Sequence, residues 1–203
     1  MSRIATGFPS LDALLGGGWP TGTLTELLVS GPGSGELGLL CPALARLNAA
    51  AASPGAAAGW VMLIAPPWIP YAPGLSWQGL ALDRVLTVRV RQPPEALWVM
   101  DETLRSGACA GVIAWAGTTK HVLLQRLHLL AVRQQAWAVL IRAAQFRRQR
   151  SPARLRLEIL APSPVAPAPA ERQPAVLQPA VLQVEIFKNG WRGTGVATVE
   201  RRF

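Results

Sequence analysis

Three runs along the chain are apolar at almost every position, "WVMLIA" (60–65), "AGVIAWA" (110–116) and "AWAVLIRA" (136–143), and "TLTELLV" (23–29) reads as a strand before them. Runs of this length without alternation are expected of strands buried on both faces, as in a parallel sheet. Between them lie stretches whose apolar residues recur at helical spacing: "ELGLLCPALARLNAAAA" (36–52), "PPEALWVMDETLRSG" (93–107) and "TTKHVLLQRLHLLAVRQQ" (118–135). The second has prolines at its start and Gly107 at its end, and the third has Thr118 or Thr119 for a cap. A shorter helix, "SLDALL" (10–15), starts at Ser10 as N-cap and is stopped by "GGGWPTG". "SPGAAAG" (53–59) reads as a loop, and "PPWIPYAPGLSW" (66–77) is too rich in proline for regular structure. "RVLTVRV" (84–90) alternates like a half-buried strand. Strand and helix therefore alternate, and the expected fold is α/β, a mostly parallel sheet flanked by helices.

The last fifty residues break the rhythm. "FRRQRSPARLRLEIL" (146–160) is a basic loop entering a strand with Leu155, Leu157 and Ile159 on one face. Residues 161–180 form a Pro/Ala-rich linker containing part of a tandem "QPAVL" duplication (173–177 and 178–182). "VLQVEIFKNGWRGTGVATVE" reads as a hairpin with Asn189-Gly190 as its turn. The organisation expected is a core over 1–160, the linker, and a hairpin over 181–203 that joins the core sheet or serves a partner.

Composition adds a charge. At 203 residues the chain can bury a full core, and its net charge of +9 comes from 20 basic residues, eighteen of them arginine. That balance favours nucleic acid, an anionic membrane or an acidic protein face. Arg142, Arg147, Arg148, Arg150, Arg154 and Arg156 are the densest cluster. They read either as a contact for DNA phosphates or an acidic partner, or as a solvated loop. Two cysteines, Cys41 and Cys109, cannot build a metal tetrad and sit among apolar neighbours, as buried thiols do. No apolar stretch approaches the ~20 residues that span a bilayer, and the N-terminus lacks the apolar segment of a secretory signal. A cytoplasmic protein is expected, with no metal and no cofactor.

One turn carries the chemical question. "SGPGSGELGLL" (30–40) follows the first apolar strand and opens a helix, the place where backbone N–H groups cradle phosphate. A P-loop requires a lysine and a hydroxyl after its glycines. Counted from Gly31, Glu36 takes the second glycine position, Leu37 the lysine position and Gly38 the hydroxyl position. Shifted by one to favour Gly35, the register puts Glu36 in place of the lysine. Gly31, Pro32, Gly33, Ser34, Gly35, Glu36, Leu37 and Gly38 thus read as a degenerate P-loop. Glu36 suits the dipole of its own helix and would fill the anion site from within.

"IATGFPSLDALLGGGWPTGTLTELLVSGPGSGELGLL" (4–40) resembles the opening of the RecA recombinase core, at Leu11, Asp12, Leu15, Gly16, Gly17, Gly18, Pro20, Gly22, Glu26, Gly31 and Pro32. To about residue 160 the resemblance continues in element order alone. It implies a catalytic glutamate after the second strand, where this chain has Ala65-Pro66-Pro67, and a Walker B aspartate where it has Trp115. With lysine, glutamate and aspartate all replaced, no catalytic residue is assigned and no ATP hydrolysis is expected. The "GPGSG" turn, "LRSGACAGVIAWAG" (104–117) and "AQFRRQRSPARLRLEI" (144–159) resemble ImuA, the RecA-like protein of bacterial mutasome cassettes. The middle segment also resembles SulA, the SOS-induced inhibitor of the tubulin-like division protein. The ImuA resemblance implies an adaptor in SOS-induced, error-prone translesion DNA synthesis, with RecA, ImuB and the error-prone polymerase α subunit as partners. The alternatives are a SulA-type division inhibitor and a DNA-dependent ATPase.

Of the eight tryptophans, Trp60, Trp115 and Trp137 belong to apolar strands and are expected in the core. Trp19, Trp68 and Trp77 fall in loops, and Trp68 is the preferred interface residue because its loop replaces the catalytic strand end. His121 and His128 lack acidic or cysteine neighbours and read as surface histidines. Asp101 and Glu102 read as solvated.

Overall fold

The computed structural model describes residues 2–50, 59–160 and 181–200. The loop expected at 53–59, all but its last residue, and the linker at 161–180 lie outside them. Six strands run parallel: β3 (Thr23–Val29), β4 (Trp60–Ile64), β5 (Val85–Val88), β6 (Cys109–Trp115), β7 (Trp137–Ala143) and β8 (Leu155–Leu160). The hairpin β9 (Val181–Asn189) and β10 (Gly195–Glu200) continues the sheet antiparallel to β8, giving the order β10-β9-β8-β3-β7-β6-β4-β5. A separate ribbon pairs β1 (Arg3–Ile4) with β2 (Trp19–Pro20). The protein is therefore α/β, with a mostly parallel eight-stranded sheet and a C-terminal hairpin.

Period-2 geometry divides each strand's side chains between two cores. Leu27, Val29, Val139, Ile141, Leu157 and Ile159 point toward α1 (Pro9–Leu15) and α2 (Glu36–Ala50). Leu24, Val112, Ala114, Ala138 and Leu140 point toward α4 (Pro93–Ser106) and α5 (His121–Gln134). Every residue of β3 is buried, the polar Thr23, Thr25 and Glu26 included. Gly18 holds the β1–β2 ribbon close. Its φ is +123°, and a Cβ there would stand 2.0 Å from the Ile4 carbonyl oxygen. Trp19 packs on Trp137 with ring centroids 5.7 Å apart, so this expected loop tryptophan is core. Trp60 and Trp115 are only partly buried. Both cysteines are buried thiols.

Several local expectations are corrected. Phe8, not Ser10, stands at the N-cap of α1 without a side-chain capping bond, and the Ser10 hydroxyl donates to the Thr198 carbonyl on β10. The cap of α5 is Lys120 rather than Thr118 or Thr119. The proline-rich stretch contains a helix, α3 (Ala72–Trp77), since Pro73 falls in its first turn, where no N–H is needed. Asp101 is not solvated: it is 3% exposed and takes Arg126 at 2.6 Å and Arg105 at 2.9 Å. The hairpin loop spans residues 190–194, longer than an Asn-Gly turn, and the Asn189 side chain accepts from the Trp191 N–H. Among the described residues no helix is long and apolar enough to cross a membrane.

Candidate functional site

In a parallel sheet the crevice outside the carboxyl ends of the strands is where ligands are received. Here the loops after β3, β4, β5, β6 and β7 meet at that edge. They enclose a cleft of about 490 Å³ whose walls include Gly31, Pro32, Pro66, Pro67, Arg89, Arg91, Trp115 and Arg142. A second hollow of about 270 Å³ shares Pro66, Pro67 and Trp115 and continues to Gly33, Gly35, Glu36 and Trp68 through Tyr71.

The glycine turn between β3 and α2 is closed on itself. Gly33 and Gly35 adopt left-handed φ values of +80° and +94°, and the Ser34 hydroxyl donates to the Gly31 carbonyl at 2.6 Å. Glu36, the first residue of α2, is 4% exposed. Its Oε1 accepts the Gly33 N–H at 3.2 Å and the Trp115 indole N–H at 3.3 Å. The carboxylate thus takes an N–H that a phosphate would need, and Trp115 ties it to the end of β6. Oε2 is buried with no hydrogen-bond partner among the described residues. An incoming phosphate would meet like charge here.

After β4, Ala65 turns left-handed at φ +53° and its N–H bonds Val88 O at 2.8 Å. This conformation costs an alanine roughly 1–2 kcal/mol, and it sends the chain into Pro66-Pro67. The segment beyond carries the most exposed large side chains of the edge: Trp68 at 69%, Ile69 at 78%, Tyr71 at 68% and Trp77 at 84%. Trp68 is therefore a surface residue beside the glycine turn, its Nε1 4.0 Å from where a Gly33 Cβ would stand.

The arginine cluster divides. Arg142 and Arg156 are not surface cations: both side chains are buried against Glu26 of β3. β7 and β8 flank β3, and Glu26 stands in register with Leu140 and Arg156, so one carboxylate reaches both guanidiniums. Arg142 donates to Glu26 Oε1 at 3.1 Å and to Gly117 O, and Arg156 to Glu26 Oε2 and to the carbonyls of Phe146 and Arg147. Burial pushes the Arg142 pKa down, against the pull of Glu26.

Arg147 is half-buried and engaged as well. It lies in a 3-10 turn (Ala144–Arg148) and donates to Glu158 at 2.7 Å and to Glu185 at 2.6 and 2.7 Å. It also lies over the Phe187 ring, 4.4 Å from its centroid. Its hydrogen bonds to Glu185 and Glu158 raise its pKa, and the same contact lowers that of Glu185. The basic segment is thus pinned to the sheet, leaving Arg148, Arg150 and Arg154 exposed.

The sequence reading missed Glu158, Glu185 and Phe187 as partners of this segment. Glu26 appeared in it only as a motif position. His128 is part-buried, and its Nδ1 accepts the Leu24 N–H at 3.4 Å. Among the described residues no group of three or more His, Cys, Asp or Glu could hold a metal ion. No family model matches the sequence, and no curated protein matches it significantly.

Proposed function

We propose that this chain is a non-catalytic, RecA-like accessory protein of SOS-induced, error-prone translesion DNA synthesis, an adaptor for RecA, ImuB and the error-prone polymerase α subunit. The partners rest on the resemblance of the glycine turn and of residues 104–117 and 144–159 to ImuA. The non-catalytic half rests on one observation: the Glu36 carboxylate, held by the Gly33 N–H and the Trp115 indole, sits where a P-loop would present lysine and free N–H groups. The position of Walker B carries an indole N–H donor, which holds a carboxylate and cannot ligate Mg²⁺. The turn is in this reading a degenerate P-loop that stabilises its own helix.

Arg148, Arg150 and Arg154 form the DNA-facing part of this proposal, and the exposed Trp68 segment the protein-facing part. Capture of the tagged protein from DNA-damaged cells of its own species, read by mass spectrometry, tests the adaptor role. Recovery of RecA, ImuB or the error-prone polymerase subunit is expected, whereas recovery of the division protein would replace this reading with the SulA-type one. An ATP titration with and without single-stranded DNA should show neither saturable binding nor phosphate release. DNA-stimulated turnover would establish the ATPase instead.

A further inference from the structure

The smaller hollow at the glycine turn has a chemical character opposite to that of a phosphate cradle. Its walls are Trp68, Tyr71, Trp115 and the prolines between β4 and α3, and its one carboxylate is Glu36. No basic side chain lines it, although the chain as a whole carries +9. Glu36 Oε1 has two donors, and the buried Oε2 has none among the described residues. A buried carboxylate with so few donors leaves much of its charge uncompensated, and a cation held in the hollow beside it offsets that charge. The faces of tryptophan and tyrosine are negative and attract cations. Aromatic walls around an under-donated carboxylate therefore select a positive charge.

We infer that this hollow receives a cationic side chain, arginine or lysine, from a protein partner. Its volume of about 270 Å³ falls just below the roughly 300–1,000 Å³ of pockets that enclose whole small molecules, and suits a single side chain. The surroundings are those of a protein contact: Ile69, 78% exposed, extends the wall outward as apolar surface. The guanidinium or ammonium would offset the Glu36 charge across a short, poorly solvated distance while stacking on Trp68, and Ile69 would cover the rim. The inference stands on this pocket alone and holds or fails independently of which protein supplies the side chain.

The test uses the full chain with ¹⁵N-labelled tryptophan and follows the indole N–H signals. The probes are N-acetyl-arginine amide, its neutral isostere N-acetyl-citrulline amide, and inorganic pyrophosphate. The Trp115 and Trp68 signals are expected to move saturably with the arginine probe and about tenfold more weakly with citrulline, since charge assistance is lost. Glu36→Gln should weaken the arginine probe by about the same factor. Trp68→Ala, at an exposed position that folding does not need, should weaken it severalfold. Equal binding of citrulline and arginine, an unchanged affinity in either variant, or pyrophosphate moving the same two signals would each overturn the assignment.

Discussion

Glu26 is one carboxylate holding two arginines inside the sheet, and Glu26→Gln removes its charge while keeping its shape. The side chains of Glu26 and Arg142 are fully buried and that of Arg156 is 7% exposed, so neither cation can turn to water. Removing one partner of a buried pair costs about 3–5 kcal/mol, because the other charge stays behind unpaired. Here two cations are left, yet glutamine keeps one acceptor and each arginine keeps backbone carbonyls at Gly117, Phe146 and Arg147. The expected loss is accordingly about 3–4 kcal/mol, a large part of the 5–15 kcal/mol typical of a domain.

At about 2–4 °C per kcal/mol for a chain of this size, Tm should fall by roughly 6–16 °C. Urea unfolding at 25 °C followed by circular dichroism, beside a thermal scan, measures both. A loss under about 1 kcal/mol would refute the reasoning, because the arginines would then be stable without their counter-charge. The triple variant Glu26→Leu, Arg142→Met, Arg156→Leu separates charge from packing. It should be close to neutral in stability, or better than wild type by up to about 4 kcal/mol. If it is as unstable as the single variant, the cost lies in packing.

Arg147→Met should free the hairpin locally. Glu158 and Glu185 face each other across β8 and β9 and would repel, lowering stability by about 1 kcal/mol and speeding amide exchange across 181–200 severalfold. Stability should fall on acidification in two steps. Burial, reinforced by Arg154 and Lys188, lowers the His128 pKa, so the folded state resists protonation. Stability is full above the ordinary value of 6.5 and declines as the pH drops below it. The Arg147 hydrogen bond lowers the Glu185 pKa, so that contribution is present above the ordinary 4.5 and is lost as the pH falls further. Urea midpoints from pH 7.5 to about 3 check both steps, and His128→Gln should remove only the first. Replacing Arg148 and Arg150 by Gln should leave the unfolding midpoint unchanged, whereas Arg154→Gln also removes a guanidinium that lies over the Trp191 ring. If they touch phosphates, the salt slope of single-stranded DNA binding should fall by about 0.7 for each phosphate no longer neutralised, and an unchanged slope would remove DNA from the proposal.

The sheet was legible because β4, β6 and β7 are apolar almost throughout, a pattern that needs no knowledge of neighbours. The helix α3 was not, since prolines suggest irregular chain unless one knows that Pro73 falls in a first turn. At the glycine turn, the carboxylate of Glu36 could be read directly. Its partner Trp115 lies 79 residues away, and only the crossing of α2 over the sheet brings the two together.

The arginine cluster misled for a related reason. Charges near one another in sequence suggest a common surface, yet strand alternation sends Arg156 to the opposite face from Leu155 and Leu157. In a strand flanked on both sides that face is also interior. Arg142 at the end of an otherwise apolar strand and Glu26 inside another were the two visible halves of a buried pair.

The placement of β3 also sets a timetable for synthesis. Both of its neighbours, β7 and β8, are encoded more than a hundred residues downstream, so no partner for its backbone exists when it leaves the ribosome. At roughly 5–20 residues per second, that wait lasts on the order of 5–20 s. Throughout it "TLTELLV" is an apolar strand with two open edges, the kind of segment that holdase chaperones bind and that aggregates when they are scarce. The sheet's most protected strand in the finished molecule is the one the nascent chain must guard longest.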